Sequence, residues 1–168
     1  MSNEQEAPTA TKPVEQHKWL KNLIGEWDVK YEMIMDPGGE PVPSTGTEVV
    51  EDFGGLWSMA KGTAYTPGEQ PFTYYQMIGY DVTFHEYRGC WIADVSSHLW
   101  KYQGEMSPDQ KTLTLTCEGP HMMKDNATVM YRDVITLIDD RTRRQDSFFQ
   151  DEESGEWVPM MTATFTRK

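Results

Sequence analysis

Nowhere does the chain string together the roughly 18 apolar residues that a membrane-spanning helix needs, so none of its 168 residues reads as part of a span. Cysteine is scarce. Cys90 and Cys117 are the two present, and their separation excludes a C-x-x-C redox or metal pair. Two isolated thiols suit a reducing compartment, so we expect a cytoplasmic protein. Positive charge is also in short supply: 15 Lys and Arg stand against 27 Asp and Glu, a net charge of -12. So acidic a surface repels phosphate backbones, and nucleic acid is not an expected partner. The one basic cluster, Arg141, Arg143 and Arg144, is flanked by Asp139, Asp140 and Asp146 and reads as a solvated hairpin. Residues 1–13 lack the apolar run of a secretory signal and are expected to be a disordered lead-in. The remaining residues, 14–168, are expected to form one domain. Walker loops, G-x-S-x-G, H-E-x-x-H and clustered Cys/His sets are all missing, which argues against an enzyme of those kinds.

Alternation is what the sequence does have. A short helical spacing over Val14 to Leu23 ends before Gly25, and the period then changes to two. Trp27, Val29, Tyr31 and Met33 alternate with Asp28, Lys30 and Glu32, the pattern of a half-buried strand. Similar runs follow at 45–53, 56–65, 72–80, 87–94, 98–106, 112–118, 128–138, 142–150 and 157–167. Asp36-Pro-Gly-Gly39, Thr66-Pro67-Gly68 and Ser107-Pro-Asp-Gln110 read as turns. About ten strands with no long helix between them predict an all-β, antiparallel barrel or sandwich.

Several short motifs tie this pattern to a known group. They are His17-Lys-Trp-Leu20, Gly25-Glu-Trp27, Gly46-Thr-Glu48, Gly54-Gly-Leu-Trp57, Gly79-Tyr-Asp81, His98-Leu-Trp-Lys-Tyr-Gln-Gly-Glu105, Tyr131-Arg-Asp-Val134 and Met161-Thr-Ala-Thr-Phe-Thr-Arg-Lys168. In order and spacing the chain resembles a bacterial lipocalin-like, calycin-type family catalogued only as a domain of unknown function. The resemblance implies a single antiparallel β-barrel with a short N-terminal helix. It places Trp27 of the G-x-W at the closed end, with Arg167 packed on its ring. It implies no catalytic residues.

Candidate site residues come from alternation. His98, Trp100 and Tyr102 share one strand face, and Leu99, Lys101, Gln103 and Glu105 share the other, wetter one. His98 is therefore expected to point inward, able to orient a ligand, relay a proton or ligate haem iron. Arg132 and Asp133 are adjacent in a strand apolar on both faces, so one of them should face the interior and need a partner. If Arg132 is inside, Glu48 or a ligand carboxylate can answer it; if Asp133 is inside, His98 or Lys61 can. Eleven Met and a stock of Trp and Tyr, Tyr75 included, supply adaptable apolar walls. His121-Met122-Met123 reads as an apolar loop at the barrel rim. The reading is an uncharacterised binding module that holds a small apolar or amphipathic molecule through His98, Trp100, Tyr102, Arg132, Glu48 and Tyr75. Neither a metal nor a resident cofactor is expected. One alternative is a haem-binding or enzymatic barrel using His98. The other is a packed barrel acting as a protein-interaction module, with a homodimer left open.

Overall fold

The computed structural model describes residues 9–65 and 70–168. The first eight residues of the expected lead-in, and the expected Thr66-Pro67-Gly68 turn, lie outside that range.

Period-two burial dominates the chain and produces ten strands: β1 (Gly25–Met33), β2 (Val42–Phe53), β3 (Trp57–Ala64), β4 (Phe72–Asp81), β5 (Glu86–Ala93), β6 (Ser96–Met106), β7 (Thr112–Pro120), β8 (Thr128–Asp139), β9 (Thr142–Gln150) and β10 (Trp157–Arg167). Each pairs antiparallel with the next, and β1 closes onto β10. Closure leaves no unpaired edge strand. In β1, Trp27, Val29 and Tyr31 are buried while Asp28, Lys30 and Glu32 face water.

The N-terminal helical segment is split into α1 (Glu15–Trp19) and a 3-10 turn (Leu20–Asn22). It seals one end of the barrel through buried His17, Trp19, Leu20 and Leu23. Two long-range bonds pin it. Trp19 Nε1–H donates to the Gln110 carbonyl at 2.8 Å, and the Tyr87 hydroxyl donates to the Gln16 carbonyl at 2.8 Å. Gly25, at φ 134, then turns the chain into β1, in a backbone region that side chains with a Cβ rarely enter.

The β1–β10 register sets Trp27 opposite Arg167. Trp27 is 2% exposed, its Nε1–H donates to Leu23 O at 2.9 Å, and the Arg167 guanidinium lies 4.3 Å from its ring centroid. That guanidinium also donates to the carbonyls of Ile24 and Asn22. One side chain thereby ties the last strand, the Trp floor and the helical plug together. Above this floor Val29, Ile78, Leu113, Leu115 and Ile135 fill the lower barrel.

One seam is incomplete. β6 and β7 pair only from Gln103↔Thr116 to Met106↔Leu113. Toward the open end the two strands part, and the Trp100 ring fills the space against Gly119, where any Cβ would collide with the indole.

Candidate functional site: a cavity in the upper barrel

Above the packed layer the interior holds a cavity of about 410 Å³. Its wall is largely apolar and aromatic, with Tyr31, Tyr74, Trp91, Trp100, Tyr102 and Tyr131 contributing rings. Met35 and Met122 also border it, and they are 66% and 67% exposed at the open end, so the cavity reaches solvent there. Ring-to-ring contacts hold the wall: Trp100 meets Tyr131 edge-on at 4.9 Å, and Tyr74 stacks on Trp91 at 5.9 Å.

Two polar clusters interrupt this wall. The lower one is built on Glu48 of β2. One carboxylate oxygen forms an ion pair with Arg143 of β9, and the other accepts the Tyr74 hydroxyl at 2.6 Å. Tyr74 has then used its only proton, so Tyr31, 3.4 Å away, must be the donor in that contact. The Arg143 guanidinium lies 3.8 Å from the Phe165 ring centroid and 4.8 Å from that of Trp27. The side chains of Arg143 and Glu48 are 3% and 2% exposed. Burial pushes Tyr31 up to about 12, and burial followed by the Glu48 carboxylate raises Tyr74 as well.

The upper cluster centres on Asp133 of β8. Its Oδ2 accepts the Tyr102 hydroxyl at 2.7 Å and its Oδ1 accepts Ser147 Oγ at 2.6 Å. Register explains the second bond, because Asp133 and Ser147 are direct cross-strand partners. Burial raises the Asp133 carboxyl above its usual range, and the two hydroxyl donors only partly offset this. Cys117, on the neighbouring strand, is pushed up to about 12, by burial first and by Asp133 second.

The expected site residues divide evenly. Glu48, Trp100 and Tyr102 line the cavity, and His98, Arg132 and Tyr75 do not. His98 shares a strand face with Trp100, but it sits where β6 and β7 have parted. Its ring meets Trp100 edge-on at 4.9 Å, and its Nε2 lies 3.2 Å from the Glu118 carbonyl. A carbonyl only accepts, so Nε2 carries the proton. The imidazole thus spans the open seam where no ladder bond is made. Of the adjacent charges, Asp133 faces in and Arg132 faces out, its guanidinium 4.4 Å from the Trp157 centroid and 5.0 Å from that of Phe148. Neither expected partner assignment holds: Glu48 is answered by Arg143, and Asp133 by neutral hydroxyls. Tyr75 is 47% exposed because Tyr74 and Gln76 take the inward positions of β4. The expectation of a solvated Arg141–Arg144 hairpin fails at Arg143. Alternation from Phe149 back through Ser147 and Gln145 places that residue on the inner face, and this was the signal in the sequence that pointed to it.

A model of the family described as "Protein of unknown function (DUF1579)" matches residues 12–167. The chain belongs to that family. Among solved structures this DUF1579 barrel is similar to Rv2717c from M. tuberculosis, with 11% identity over 94% of this chain and 99% of that one, at a TM-score of 0.61. It is also similar to the S-type phycobiliprotein lyase CPES from Guillardia theta, with 8% identity over 92% and 93% of the two chains, at a TM-score of 0.58. Likeness at such identities establishes the shared barrel fold. No curated protein matches the sequence.

Proposed function

We propose that this DUF1579 barrel is a binding protein that takes one small, largely apolar molecule into its upper cavity. The observation that carries the reading is the cavity itself. At about 410 Å³ it falls within the roughly 300–1,000 Å³ of small-molecule pockets, and it combines an aromatic and Met wall with two convergent polar clusters. The haem alternative relied on His98, and neither that residue nor any other histidine among the described residues lines this cavity. The interaction-module alternative called for a filled interior. A cytoplasmic setting remains part of the proposal, resting on the two free thiols, Cys90 and Cys117.

Two measurements test the proposal. Native mass spectrometry of freshly purified protein should detect a retained small molecule. Prodan, a neutral polarity-sensitive naphthalene dye, should bind saturably, with a blue shift and one site per chain. Replacing Trp100 with Ala should weaken that binding, because the wall loses one of its two indole rings. Failure of prodan to saturate would overturn the reading, as would equal binding by the Trp100→Ala protein.

A further inference from the structure

We infer that the ligand of this cavity carries an amine, or an equivalent cationic N–H group, and that this head sits against Asp133. The inference rests on the binding reading above and specifies its ligand class.

It follows from the balance of charge inside the barrel. Among the described residues, the acids lining the cavity are Glu48 and Asp133, and no Lys, Arg or His lines it. Glu48 is already answered by Arg143 from below, with Tyr74 on its second oxygen. Asp133 has no cation. Its two partners, Tyr102 and Ser147, are neutral hydroxyls, each filling one lone-pair position on one oxygen. A carboxylate offers about four such positions, so Asp133, which lines the cavity, keeps acceptor capacity for a ligand. A buried carboxylate without a counter-ion is costly, and a cation brought in by a ligand removes that cost.

Two further features favour the same head group. The rings of Trp100 and Tyr131 border the same cavity, and aromatic faces attract cations. The chain's net charge of -12 raises the local concentration of cations around it. A carboxylate-headed amphiphile meets the opposite situation. It would enter a cavity holding one unanswered acid and no free cation.

Three eight-carbon ligands that differ only in their head test this: octylamine, octanol and octanoate, each titrated against prodan-loaded full-length protein. Octylamine should displace prodan roughly ten- to hundredfold more tightly than octanol, the range expected of a charge-assisted hydrogen bond. Octanoate should be the weakest of the three. In Asp133→Asn the preference for octylamine over octanol, compared within that variant, should vanish. Equal displacement by octylamine and octanol in the unmodified protein overturns the inference and leaves the cavity reading standing. So does an amine preference that survives in Asp133→Asn. If prodan itself does not bind and none of the three ligands binds by calorimetry, both fall together. The ranking in the unmodified protein decides the head group even if the Asn variant fails to fold, and Asp133→Ser then takes its place in deciding where the head sits.

Discussion

Removing Arg143 should be among the most damaging single changes in this barrel, and the reason lies in what it leaves behind. With Met at position 143, the Glu48 carboxylate keeps its place, 2% exposed, with only the Tyr74 hydroxyl as donor. Breaking a buried pair by deleting one partner costs about 3–5 kcal/mol, because the remaining charge is uncompensated. Loss of the guanidinium from the Phe165 and Trp27 rings adds about 0.5–2 kcal/mol. Against a total stability of about 5–15 kcal/mol this is a large fraction. Glu48→Gln should also destabilise, by stranding the cation instead. The double variant, Glu48→Gln with Arg143→Met, removes both charges. It should be more stable than Arg143→Met alone, and the two effects should fail to add by about 0.5–3 kcal/mol. Urea unfolding followed by tryptophan fluorescence measures all four proteins. A loss of about 4 kcal/mol lowers the midpoint by about 1–4 M for typical slopes. Single variants that each cost under about 1 kcal/mol and add in the double would refute the account of a coupled, desolvated pair.

Other consequences are as direct. Trp27→Ala should cost about 3–5 kcal/mol, since it empties the barrel floor and strips Arg167 of its ring; a melt at the unmodified temperature would contradict the floor assignment. Burial raises Tyr31 and Tyr87 to about 12 from an ordinary 10.0, and it raises Tyr74, Tyr102 and Tyr131 as well. Folded phenols therefore hold their protons where unfolded ones lose them, so the stability they contribute is intact below about pH 10 and drains away as pH rises toward 12. The phenolate absorbance of these five buried tyrosines should accordingly appear together with loss of circular dichroism, and full ionisation of every tyrosine with the fold intact would be the wrong result. Cys117, pushed up to about 12 inside the wall, should resist iodoacetamide in the native protein and label fully in urea, as mass spectrometry will read. His98→Ala should leave prodan affinity unchanged, because the imidazole bridges the β6–β7 seam outside the cavity; a large loss of affinity would return His98 to the site.

Alternation along single strands was enough to specify much of this protein. It marked the strands to within a few residues, put Trp27, Val29 and Tyr31 inside, and separated Trp100 and Tyr102 from Lys101 and Gln103. The family resemblance, through the G-x-W and the late Arg167, implied the closed end, and the β1–β10 register bears it out by setting Trp27 opposite Arg167. Parity, however, is a property of one strand. It says that adjacent residues oppose each other, but it cannot say which of Arg132 and Asp133 turns inward. The cross-strand register decided that, by setting Asp133 beside Ser147 and within reach of Tyr102. Height along the barrel axis was equally invisible. His98 has the inward parity of Trp100, yet the parting of β6 from β7 carries it out of the cavity. The Glu48–Arg143 pair joins residues 95 positions apart. Alternation can put each of these side chains on an inner face, but only closure of the sheet makes them partners. Local sequence determined which residues form strands and which face each presents. The cavity, its unanswered carboxylate and the partners of every buried charge were decided by how those strands pair and close, since desolvation and hydrogen bonding act on neighbours in space.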